Sequence, residues 1–126
     1  MPSIESLTIF NVTLQVMSTT MSKVSDAIDY LTARKKSVAC MGKQGLRLMM
    51  TDLGFKDTPG DTDNHRIFTH AALSDETDFK STSVDCTHQQ SRPMKLPYVV
   101  KIIGVLRTYK GTFEEWERNE NENAQS

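Results

Sequence analysis

Apolar and polar positions alternate along this chain in two distinct periods, and the order of those periods predicts the elements. Phe10-Asn11-Val12-Thr13-Leu14-Gln15-Val16 changes character residue by residue, the period of a half-buried strand. Val24, Ala27, Ile28 and Leu31 then form a stripe at helical spacing. Ser22 stands before it as a cap, Asp26 lies in its early part, and Arg34, Lys35 and Lys36 follow its end, as the helix dipole prefers. Leu46, Met49, Met50 and Leu53 predict a second helix over about 43–53, closed by Gly54. Phe55-Lys56-Asp57 opens a short strand and Pro59-Gly60-Asp61 marks a turn. Residues 65–70 alternate again as a second strand, with Ile67 and Thr69 on one side and Arg66 and Phe68 on the other. Residues 71–78 read as a loop or helical turn, 79–86 as a third strand rich in Ser and Thr, and 89–95 as a connector. Val99, Ile102, Ile103, Leu106 and Tyr109 line one face of a last helix, with Pro97 in its first turn and Lys101 on the opposite face.

The order is strand, helix, helix, three strands, helix. Its compact part, about 43–110, is αβββα, an α+β arrangement in which three short strands need helices on one face to bury a core. A chain of 126 residues suits one such domain. The pattern divides it into an N-terminal extension of strand and helix (1–40), the αβββα unit (41–112) and an acidic tail (113–126) that reads as disordered, with Trp116 and Phe113 docking the last turn on the core.

Composition narrows the class. Cys40 and Cys86 do not make a disulfide scaffold; they suit a reducing cytosol or a single optional pairing. The first twenty residues lack a basic start and a continuous apolar core, and no apolar run approaches a membrane span. A cytoplasmic protein without membrane contact is the expectation. The net charge of −1 conceals a division. Residues 21–56 and 92–110 are basic, the second stretch through Arg92, Lys95, Lys101, Arg107 and Lys110 with no acid, while 57–85 and the tail are acidic. That pattern permits phosphate contact.

Gly45-Leu46, Leu53-Gly54-Phe55, His65-Arg66-Ile67-Phe68-Thr69-His70 and the closing Lys95-Leu96-Pro97-Tyr98 with its helix together resemble the HicA toxin family, small endoribonucleases (mRNA interferases) of type II toxin–antitoxin modules. The resemblance covers roughly residues 42–110 and implies a fold like a double-stranded-RNA-binding domain, here with an additional N-terminal strand and helix. The family's Gly-Ser-His signature places its catalytic histidine on His65, with Asp63 and Asn64 standing where the family has Gly and Ser. Ser83 to His88 resembles a branch of the family that ends its third strand in a Cys-x-His element. The resemblance further implies RNA as substrate and a cognate antitoxin protein as partner.

RNA cleavage without a metal needs a base for the 2′-hydroxyl proton and an acid for the leaving oxygen, and imidazole serves either near neutral pH. It also needs cations to offset charge on the phosphorane. His65 is therefore the candidate catalytic residue. Lys43, Arg47, Lys95 and Lys101, with Arg66 beside His65 in sequence, are the candidate contacts to RNA backbone, and Asp63, Asn64, His70 and His88 are candidate supports of the site. Arg66 points to the strand face opposite His65. The Cys86-Thr87-His88 spacing is not the paired knuckle of a structural zinc site, so neither metal nor cofactor is expected. A non-catalytic RNA-binding or protein-interaction module of the same fold is the alternative function.

Overall fold

In the computed structural model, which describes residues 22–125 (side chains to residue 121), Ser22 caps helix α1 (Lys23–Ala33) by accepting a hydrogen bond from the Ser25 N–H at 3.1 Å. The helix buries the predicted stripe of Val24, Ala27, Ile28 and Leu31. Helix α2 (Leu46–Asp52) is shorter than expected, because Gly45 takes an extended backbone and starts it. It closes in a Schellman turn: the Gly54 N–H donates to Thr51 O at 2.9 Å and the Phe55 N–H to Met50 O at 3.0 Å. Gly54 sits at φ +96°, a conformation that L side chains rarely adopt. Phe55 and Met50, the two ends of that turn, are both buried.

Strands β1 (Lys56–Pro59), β2 (His65–Thr69) and β3 (Thr82–Asp85) form an antiparallel sheet in the order β1-β2-β3. Between β2 and β3 the expected loop or helical turn is a short helix, α3 (Ala71–Glu76). Helix α4 (Leu96–Thr108) buries Val99, Ile102, Ile103 and Leu106, and α5 (Lys110–Gln125) follows after Tyr109. The strand expected over 10–16 lies outside the described residues.

The sheet has two unlike faces. Phe68 and Val84 point into the core with α1, α2 and α4 behind them. Thr58, His65, Ile67, Ser83 and Asp85 occupy the other face and are each half-buried. The mixed α+β layout with a three-stranded antiparallel sheet agrees with the αβββα pattern read from the sequence.

Helix α1 packs against α4 and α5, and its apolar residues belong to the same core as the sheet. One expectation is corrected: the acidic tail, expected to be disordered, is helical through Gln125. Phe113 is buried and Trp116 packs on the core, as expected of that pair. What orders the acids beyond them lies at the start of α1. Ser22 Oγ donates to Glu114 at 3.2 Å and the Lys23 N–H donates to Glu117 at 2.9 Å, so two carboxylates of α5 meet the positive end of the α1 dipole.

Cys40 and Cys86 are joined as a disulfide between the α1–α2 connection and the end of β3. The pairing left open by the sequence is thus realised, and both residues are fully buried. Cross-linking positions 46 residues apart stabilises a fold by about 4 kcal/mol on chain-entropy grounds. Nearby, Ala39 bridges Pro93 antiparallel and the Met94 N–H donates to Val38 O at 2.8 Å, so the segment before α2 runs beside the connector that leads into α4.

Candidate functional site

His65 begins β2. Its backbone closes the β1–β2 loop: its N–H donates to Thr62 O at 3.2 Å, and its carbonyl accepts from the Gly60 N–H at 2.6 Å. The ring lies over Gly60, where an added Cβ would stand 2.5 Å from Nδ1. A glycine at position 60 is what lets the imidazole lie against the loop. His65 pairs across the sheet with Asp85 on the half-exposed face. Among the described residues the ring has no hydrogen-bond partner, and it is half-buried.

Lys101 reaches that part of the sheet from α4. Its Nζ donates to the Ser83 carbonyl at 2.9 Å, on the outer edge of β3. Ser83 is two residues from Asp85, about 7 Å along the strand from the rung that holds His65. Lys101 is thus an exposed expected RNA contact that is fastened to the histidine's sheet. Lys43 is exposed and lines a groove of about 540 Å³ between α1 and α2, together with Lys23, Asp26, Tyr30 and Asp52. Lys95 is exposed at the start of α4.

The two arginines are engaged within the fold. Arg66, expected to contact RNA, is 7% exposed and faces the core side of the sheet. Its Nε donates to Asp57 Oδ1 at 2.8 Å and its Nη1 to the Asp63 carbonyl at 3.1 Å. Arg47 donates from Nε to the other oxygen of the same carboxylate at 2.6 Å and from Nη1 to Gln90 Oε1 at 2.9 Å. One aspartate therefore holds both guanidinium groups. The reason is burial: a cation on the core-facing side of a strand needs a carboxylate, and Asp57 lies on the neighbouring strand of the same face.

From Gln90 the polar chain continues to the surface. Gln90 Nε2 donates to the Asp63 carbonyl at 3.3 Å and to Asn64 Oδ1 at 3.4 Å, and Asn64 Nδ2 donates to His88 Nδ1 at 3.1 Å. Asp63, Asn64 and His88 are thus brought together beside the first residue of β2, as supports of the loop that carries His65. Asp57 and Gln90 were not singled out in the sequence. The signal for Asp57 was its inward register opposite Phe68.

His70 is structural. It is 9% exposed, its Nδ1 accepts the Leu73 N–H at 3.3 Å as the cap of α3, and its Nε2 donates to Leu53 O at 3.1 Å. Those two bonds make Nε2 the donor and Nδ1 the acceptor. Phe55, Phe113 and Trp116 surround it with ring centroids at 5.0, 5.5 and 5.3 Å. Elsewhere, Tyr109 donates its hydroxyl to Asp78 Oδ1 at 2.7 Å. That hydrogen bond, with partial burial and the negative charge of Asp78, holds the phenol above its ordinary value of about 10.

Among the described residues no group of three or more His, Cys, Asp or Glu is placed to hold a metal ion, and no helix is long and apolar enough to cross a membrane. Set against protein-family models, curated proteins and solved structures, the chain has no match in any of the three.

Proposed function

We propose that the protein is a HicA-like endoribonuclease that works on RNA laid across the half-exposed face of its sheet. The observation that carries this reading is His65: an imidazole without a hydrogen-bond partner among the described residues, borne on that face, with Lys101 anchored to the next strand. In the reaction the 2′-oxygen attacks the adjacent phosphorus and the 5′-oxygen leaves. His65 takes the 2′-hydroxyl proton, and a proton returns to the leaving oxygen, giving a 2′,3′-cyclic phosphate and a 5′-hydroxyl. Lys101 supplies positive charge toward the phosphate. A cognate antitoxin would silence the enzyme by covering the same face. An mRNA substrate places the protein in the cytoplasm, where reducing thiols act against the Cys40–Cys86 bond.

A second reading has its own support. Asp85 stands opposite His65, and Asp57 occupies both arginines nearest the loop. That charge distribution favours a module that binds RNA without cutting it. One experiment separates the two. Labelled RNA is incubated with wild-type protein and with His65→Ala at pH 7 in EDTA. The nuclease reading expects cleavage by the wild type and none by the variant, with both proteins folded. Intact RNA in both samples, with RNA still retained, removes the nuclease reading and leaves the binding module.

A further inference from the structure

The helix that precedes the αβββα unit brings a basic turn to a basic connector. Arg34 to Ser37 form a tight turn after α1, closed by the Ser37 N–H donating to Arg34 O at 2.8 Å. The bond from the Met94 N–H to Val38 O and the bridge of Ala39 to Pro93 set this turn beside the residues that enter α4. Arg34, Lys35 and Lys36 on one segment and Arg92 and Lys95 on the other are all exposed. None of the five is in an ion pair among the described residues. Neither segment contains an acid: residues 34–41 and 86–98 have no Asp or Glu, in a chain with sixteen.

The ordinary explanation covers only part of this. Cations after the C-terminus of α1 complement its dipole, which accounts for Arg34, Lys35 and Lys36. Arg92 lies on a connector with no helix end to complement. Lys95 precedes the first turn of α4, where the dipole disfavours a cation and no acid offsets it. Arg34 also lies over the Tyr30 ring at 5.2 Å, whereas Arg92 and Lys95 have no such use in the fold, and all five charges stay exposed and unpaired by acids among the described residues, open to an external polyanion.

The cluster is also tied to the candidate site. Gln90 bonds Asn64, the neighbour of His65, and Arg92 and Lys95 follow on the same connector, so the backbone of Lys95 lies at most about 18 Å from Gln90. The Cys40–Cys86 bond links the basic segment to the strand that pairs with His65.

We infer that Arg34, Lys35, Lys36, Arg92 and Lys95 form a phosphate-tracking strip that holds single-stranded RNA backbone flanking the nucleotides at His65. The strip rests on the reading of the protein as one that engages RNA, and not on cleavage. It takes phosphates without base preference, so its mark is salt dependence.

The test uses the full chain in the His65→Ala background, where RNA stays intact, with a fluorescent single-stranded RNA followed by anisotropy across a salt series. Removing three strip charges in Lys35→Gln/Lys36→Gln/Arg92→Gln lowers the slope of log K against log salt by about 2. Removing three exposed charges elsewhere, in Lys23→Gln/Lys80→Gln/Arg118→Gln, leaves the slope unchanged. Circular dichroism checks that each variant is folded. Equal slopes for both triple variants overturn the strip. So does binding of an acidic peptide without retention of RNA. Cleavage is scored separately on the wild type, so a strip that binds beside a histidine that does not cut is a distinct and recognisable outcome.

Discussion

Replacing Gly54 by alanine tests the joint where α2, β1 and α3 meet. The residue sits at φ +96°, and a Cβ there would stand 2.7 Å from Nε2 of His70. Left-handed backbone costs an L-residue about 1–2 kcal/mol. The ring cannot simply turn aside, because it is packed among Phe55, Phe113 and Trp116 and both its nitrogens are engaged. Displacing it forfeits the cap of α3, about 1 kcal/mol, and the bond to Leu53 O, about 1 kcal/mol. The expected total is roughly 3–4 kcal/mol, or a Tm lowered by at least about 12 °C. Urea unfolding checks it, read by far-UV circular dichroism and by Trp116 fluorescence, since that indole stacks on His70 at 5.3 Å. In a His70→Ala background the same glycine substitution should retain only its backbone part, leaving a coupling of about 2 kcal/mol. Additive effects of the two substitutions, or a Gly54→Ala protein within about 0.5 kcal/mol of wild type, would refute the reasoning.

Two further outcomes follow from the charge pairs. Asp57→Ala leaves two guanidinium groups without their carboxylate, one of them on a side chain only 9% exposed, and should destabilise by about 3 kcal/mol. Arg47→Ala, whose side chain is 26% exposed and whose loss leaves Asp57 paired with Arg66, should destabilise by about 1 kcal/mol. Urea midpoints that reverse this order would contradict the burial argument. Tyr109 should ionise later than an unpaired tyrosine in an alkaline titration followed by absorbance near 295 nm, and Asp78→Asn should bring it back toward about 10. Because the folded value is the raised one, the contact stabilises the protein fully below the ordinary tyrosine range and is lost as pH rises through the raised value. A late phase that persists in Asp78→Asn would assign the shift to another cause.

The helices were legible where burial has a local period. The stripe of α1 and the stripe of α4 are both buried as read, because a helix that covers a sheet must repeat its apolar residues every turn. Helix α5 was not legible, because a window of Glu and Asn reads as solvated chain. Its order depends on Ser22 and Lys23, which meet Glu114 and Glu117 from more than ninety residues away. The disulfide was undecidable for the same reason: its geometry depends on the pairing of residues 38–39 with 93–94, which no local pattern encodes. The site is a different case, because there the needed information was local. Alternation along β2 puts Phe68 in the core and so puts Arg66 there with it, while His65 falls on the other side. A catalytic His65 on the half-exposed face and an RNA contact from Arg66 are therefore exclusive by parity alone. The inward arginine in turn demanded an inward carboxylate on a neighbouring strand, and Asp57 holds the register that supplies one. On the proposed reading, charge for a phosphate at His65 comes from Lys101 on α4 and the connector that leads into it, with Lys56 on β1 the cation of the hairpin that shares the histidine's face.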